Sequence, residues 1–162
     1  MPSLQAPTAR LHRAFLEAHH EWGPGLHEDG FGLTLADDVE TAAGFAAWVS
    51  RLTRAEDPAG GLATSTYRWI VEDDTVLGGI ALRHELDEKL GHIGYGVRPS
   101  ARRRGLATWA LTEMLGEARA RGLKRVLVVC ATDNVASART ILRCGGVMEP
   151  SSGPTQRYWI AL

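Results

Sequence analysis

The segment Tyr95-Gly-Val-Arg-Pro-Ser-Ala-Arg-Arg-Arg-Gly-Leu-Ala107 decides how this chain is read. Before it, His92 to Val97 is β-rich and halts ahead of Pro99, which has no N–H to give to a ladder. After it, Leu106, Ala110, Met114 and Ala118 fall on one helical stripe, flanked by Ala107, Leu111 and Leu115. Gly122 suits the C-terminal cap of that helix. A strand, a basic loop and a helix therefore follow one another. The first turn of a helix holds N–H groups without intrahelical acceptors, at the positive end of the dipole. That geometry takes up anions, phosphates above all. Gly105 keeps a Cβ out of the ligand's approach. The guanidinium forks of Arg102, Arg103 and Arg104 match phosphate oxygens. A solvated basic helix start is the plainer reading of the same residues, and physics alone weighs the two equally.

Working outward, Val126-Leu-Val-Val-Cys130 is a continuous apolar run, as expected of a strand buried on both faces. Residues 92–130 thus read as strand, helix, strand, with the strands parallel and joined by a right-handed crossover. Asp133 or Asn134 can cap a further helix reaching about Arg143, which Gly145-Gly146 stops. Short strands around Val147-Met148 and Arg157 to Ala161 close the pattern. Upstream, Thr66 to Val71 and Val76 to Leu82 read as antiparallel strands with a turn at Asp73-Asp74. The N-terminal third reads as helical. Leu11, Phe15 and Leu16 recur at helical spacing until Gly23-Pro24-Gly25. A second helix uses Val39, Ala42, Ala43, Ala46, Val49 and Leu52, with Asp37 or Asp38 as its cap, and ends by Gly60-Gly61. Residues 3–6 can form a short first strand.

The chain has 162 residues, and a domain holds roughly 100–200, so one domain is expected. The formal net charge of −1 lacks the basic surplus of a general nucleic-acid binder. Cys130 and Cys144 are the only cysteines, too few for a disulfide-stapled scaffold. No apolar run reaches the ~18 residues of a membrane span, and the opening MPSLQAPTARLHRAF does not read as a signal peptide. The cytoplasm is the expected location, with no membrane partner. Gly94-Tyr-Gly-Val-Arg-Pro99 falls short of GxGxxG, and no GxxxxGK[ST] occurs, which disfavours dinucleotide dehydrogenases and P-loop nucleotidases.

Arg102-Arg-Arg-Gly105-Leu-Ala107 fits the pattern Gln/Arg-x-x-Gly-x-Gly/Ala, with Val97-Arg-Pro99 ahead of it and Asn134-Val-Ala-Ser137 and Gly145-Gly146 behind. In these motifs the chain resembles the GNAT superfamily, the acyl-CoA-dependent N-acetyltransferases, over residues 64–162. The resemblance implies an α/β fold (α+β by some schemes). It has a mixed central sheet of six to seven strands, antiparallel at first, with about four helices. Its central parallel pair splays at the acyl-CoA site. Residues 1–60 would form a helical acceptor-side region and 64–162 the acyl-CoA-binding core. Acetyl-CoA is the implied cosubstrate and a small-molecule or peptide amine the implied acceptor. A homodimer is compatible with the family. The resemblance gives Val97 a backbone pairing with the pantetheine arm. It places the pyrophosphate on the amides of Arg103, Arg104, Gly105, Leu106, Ala107 and Thr108, beside Arg102. Asn134 would contact the arm, with Ser137 supporting it. Many relatives carry a tyrosine in the following helix that protonates the leaving thiolate; here that position falls on Ile141, and Tyr158 is the replacement candidate.

Acyl transfer to an alkyl amine of pKa about 10.4 needs a proton acceptor, because only ~0.04% of the amine is neutral at pH 7. His92 and Glu85 are the candidate bases, with His84 beside them. His84-Glu-Leu-Asp-Glu88 is a near miss to HExxH, and His19, His20, Glu21 and His27 form no tetrahedral set, so no metal is expected. Two rival readings share the segment. A catalytically silent acyl-CoA sensor would use the same cradle. A nucleic-acid module is disfavoured by the charge and by the lack of aromatics among the arginines.

Overall fold

A computed structural model describes residues 1–23, 30–60, 64–150 and 153–162. The expected breaks at Pro24-Gly25 and Gly61, and His27, lie outside the described residues. The elements run β1 (Ser3–Gln5), α1 (His12–Trp22), α2 (Ala42–Arg54), β2 (Ser65–Glu72), β3 (Thr75–Arg83), β4 (Ile93–Val97), α3 (Leu106–Ala120), β5 (Arg125–Ala131), α4 (Val135–Arg143), β6 (Val147–Glu149) and β7 (Thr155–Ala161). The sheet order is β1-β2-β3-β4-β5-β7-β6. All neighbours are antiparallel except β4 and β5, which are parallel.

Side-chain alternation along the strands sends residues to two opposite layers. Trp69 and Val71 of β2 join Phe15 of α1 and Phe45, Trp48 and Leu52 of α2. Ile70 points the other way, into a core shared by Leu111 and Met114 of α3, Val126 and Val128 of β5, and Ile141 of α4. The first layer is aromatic: the Phe15 ring lies 4.8 to 5.8 Å from those of Phe31, Phe45, Trp48 and Trp69, within the range of favourable ring pairs. β1 pairs with β2, so the N-terminal region adds a strand to the same sheet.

The second helix starts later than Asp37 or Asp38. Thr41 caps it by accepting the Gly44 N–H at 3.0 Å. The Asp38 carboxylate is taken up one step earlier, accepting from the Thr41 hydroxyl at 3.0 Å and the Glu40 N–H at 3.2 Å. Asp37 instead accepts from Thr34 and Arg51. Among the described residues no helix is long and apolar enough to cross a membrane.

Candidate active site

β4 is bound along its length to β3, from Leu82 opposite Ile93 to Gly78 opposite Val97. To β5 it is bound by a single register pair, Ile93 opposite Val128. β5 turns instead to β7, which it pairs along seven residues. Past Ile93 the two parallel strands therefore part, and the gap opens toward their C-terminal ends. Close packing on the other side of β4 relies on small residues: a Cβ on Gly78 would stand 2.3 Å from the Gly96 carbonyl oxygen.

At the open end the chain leaves Val97, makes one 3-10 turn at Pro99–Ala101, and enters α3. Arg103 and Gly105 both adopt left-handed backbone conformations, with φ of 64° and 76°. Alternation of handedness along a loop turns successive N–H groups into an anion-binding concavity. The first bond of α3 runs from Trp109 N–H to the Gly105 carbonyl. The N–H groups of Leu106, Ala107 and Thr108 thus lie in the first turn, where a helix has no acceptors of its own. No side chain caps this end, and no acidic residue lies in its first turn. Around Gly105 there is open space, so its glycine is required by φ and not by crowding.

The three arginines differ. The Arg102 Nε donates to the Val97 carbonyl at 3.0 Å. Arg104 pairs with Glu72 at the end of β2 at 2.7 Å, which pulls the Glu72 carboxyl below its ordinary range. Arg103 is exposed and makes no ion pair among the described residues. Together, the uncapped amides, the free guanidinium and the open space fit a diphosphate, and the strand gap beside them fits a narrow arm.

On the far wall of the gap, Asn134 caps α4 by accepting the Ser137 N–H at 3.1 Å, which leaves its amide nitrogen as the remaining donor. Ala131, Thr132, Asp133 and Pro154 line an open cleft of about 480 Å³ where β5 ends.

The acid–base candidates stand apart from one another. His92 lies one residue before β4, at the closed end of the gap, about 16 Å along the strand from Val97. It is 6% exposed. Its ring Nδ1 accepts the Leu127 N–H at 2.9 Å while the His92 backbone N–H donates to the Leu127 carbonyl at 2.7 Å. The ring proton therefore sits on Nε2. Burial, helped by the Arg83 charge, holds the ring below its ordinary pKa. Glu85 is exposed in the bend after β3. Tyr158 is buried on the α3–α4 side of β7, opposite Val128, and its hydroxyl donates to Gln156 Oε1 at 2.9 Å. Burial and then the neighbouring Cys130 raise its pKa. Among the described residues no group of three His, Cys, Asp or Glu side chains converges to hold a metal.

Two residues with no role in the sequence reading bear on the site. Tyr95 bonds to Ser137 across the gap, and Glu21 on α1 holds the start of the loop that leads into α3. Tyr95 carried a faint signal, a lone polar aromatic between two strand glycines. Glu21 carried none, because its partners are 77 and 79 residues away.

A family model described as an acetyltransferase (GNAT) domain matches residues 33–147. Solved structures of the same fold include the microcin C7 self-immunity acetyltransferase MccE in complex with acetyl-CoA and AMP. It is 15% identical, covering 99% of this chain and 92% of that one, with a TM-score of 0.71. The ribosomal-protein-S5-alanine acetyltransferase of Vibrio fischeri is 16% identical over 99% and 91%, with a TM-score of 0.71. Mycobacterium smegmatis RimJ in complex with CoA-disulfide is 20% identical over 99% and 86%, with a TM-score of 0.68. No curated protein matches the chain.

Proposed function

The chain belongs to the GNAT acetyltransferase family, and from that premise we propose that it moves the acetyl group of acetyl-CoA onto a primary amine that attacks the thioester directly. The observation that carries this reading is the uncapped start of α3 standing at the mouth of the β4–β5 gap. When bound, acetyl-CoA supplies an activated acyl group. The amides of Arg103 through Thr108, with Arg103 as the unpaired cation, hold the diphosphate there. The backbone near Val97 and the Asn134 amide orient the arm, and Ser137 backs it.

Acid–base work falls to groups with free capacity. The Nδ1 of His92 is engaged by Leu127 and the Tyr158 hydroxyl by Gln156, so direct proton abstraction by His92 requires release of the Leu127 bond. Glu85 is an exposed carboxylate, and water serves as the remaining proton acceptor. The acceptor amine enters by the cleft at Ala131–Asp133 and Pro154. Neighbours in fold are named for acetylating a ribosomal-protein alanine and for microcin immunity, which puts peptide amino termini first in an acceptor panel, before amino acids, polyamines and aminoglycosides.

The test is release of free CoA thiol from acetyl-CoA across that panel. Thiol release with at least one amine is the expected result. Uptake of acetyl-CoA with no thiol release for any amine would favour the silent sensor, a reading supported by the fully buried Ile141 where many relatives carry a tyrosine.

A further inference from the structure

Tyr95 on β4 and Ser137 on the first turn of α4 are 42 residues apart, yet their hydroxyl oxygens stand 2.8 Å from each other. The Tyr95 hydroxyl also lies 3.3 Å from the Ser137 carbonyl oxygen. The bond runs from one wall of the strand gap to the other, past the last point at which β4 and β5 pair. The Cys130 thiol of β5 adjoins the cluster: burial pushes its pKa up, and the Ser137 side chain beside it pulls it back.

Burial lifts the Tyr95 phenol to about 12, so it keeps its proton at every working pH. The titratable groups acting on it are Cys130 on β5 and Cys144 just after α4. A phenol is a better donor than an aliphatic alcohol, and Ser137 Oγ can accept while keeping its own O–H for another partner. One turn further along α4 stands Ile141, buried and without a polar atom.

We propose that Tyr95 is a positioning residue: its hydroxyl donates to Ser137 Oγ and so aims the Ser137 O–H at the sulfur of coenzyme A. The assignment rests on the acetyltransferase reading above. Ser137 then meets the negative charge that the sulfur acquires when it keeps the electron pair of the broken C–S bond. The amine's surplus proton goes to water, and neither hydroxyl changes its protonation state.

The test compares calorimetric affinities for coenzyme A and for desulfo-coenzyme A, which lacks the sulfur, at pH 9, where a thiol of pKa ~8.5 is mostly ionised. The wild-type chain should prefer coenzyme A. Tyr95→Phe and Ser137→Ala should each cut that preference about tenfold, the order expected for a hydrogen bond to a charged group. The double variant should lose no more than either single one, and the affinity of the Tyr95→Phe chain for desulfo-coenzyme A should stay within about twofold. A Tyr95→Phe chain that keeps the wild-type preference, or weakens on both ligands alike, overturns the proposal. A wild-type chain that takes up neither ligand overturns the acetyltransferase reading itself.

Discussion

Two N–H groups of the Arg98 guanidinium, just past β4, converge on Oε1 of Glu21, near the end of α1, at 2.9 and 3.1 Å. Ser100 adds its N–H at 2.8 Å and its hydroxyl at 2.7 Å to the same carboxylate. Glu21 thereby ties α1 to the loop that leads into α3. Burial alone would raise this carboxyl; the bonds from Arg98 and Ser100 and the Arg98 charge overcome it and bring the pKa down to about 2.

The sign of the resulting pH effect follows. A carboxyl depressed in the folded state contributes its stability above its ordinary pKa of 4.5 and loses it as pH falls toward 2. Urea midpoints should therefore drop between pH 4.5 and 2, and Glu21→Gln should flatten that drop. At pH 7 the same variant should lose about 1–3 kcal/mol, because Arg98 keeps a largely buried charge without its partner. A Glu21→Gln chain as stable as wild type at pH 7 would contradict the role given to this clasp.

His92 carries a dependence of the same sign in a higher pH window. Its ring is held below the ordinary 6.5, so the unfolded chain takes up the proton first as pH falls. The stability due to the neutral, Leu127-bonded ring is complete above about 6.5 and declines below it. His92→Ala should cost about 1–3 kcal/mol at pH 8 by leaving the buried Leu127 N–H without an acceptor. His92→Asn, which retains an acceptor, should recover part of that loss in a denaturant titration.

The strand-helix-strand over residues 92–130 is legible in the sequence because each element carries its own local signal: β-rich residues before Pro99, a 3.6-residue stripe in α3, an unbroken apolar β5. The uncapped helix start behind the basic loop is legible for the same reason, since a loop feeding a helix needs only neighbouring residues. The start of α2 is missed because Asp38 and Thr41 are both good cap residues, and only the backbone decides which one serves. The place of His92 before β4, its bond to Leu127 35 residues on, and the Tyr95–Ser137 bridge depend on how β4 meets β5. Such pairings across the fold leave no periodicity to read.

Asn134 gives a separable check on the far wall. Asn134→Ala removes the cap on α4 and should cost about 1 kcal/mol of stability, while Asn134→Ser should keep most of it. If the amide nitrogen also orients the arm, Asn134→Ser should still bind acetyl-CoA several-fold more weakly than wild type. Equal affinity for the two chains would limit Asn134 to capping.

The arginines should separate by their partners. Arg103→Ala should weaken acetyl-CoA binding about three- to tenfold, because its charge is uncommitted. Arg104→Ala should weaken it less, since Glu72 already holds that guanidinium. Calorimetry at two salt concentrations checks both, and the Arg103→Ala chain should show the shallower salt dependence.

The account depends most on the start of α3 gripping the coenzyme's diphosphate. Calorimetric titration of acetyl-CoA into the wild-type chain and into Gly105→Val tests it most directly. A Cβ at this position meets nothing within 4 Å, but valine is strained at a φ of 76°, and its side chain would stand in the space beside the helix start. One-to-one uptake by wild type, at least about tenfold weaker in the variant while the variant stays folded, is the predicted result. No uptake by wild type, or equal affinity in the folded variant, would contradict it.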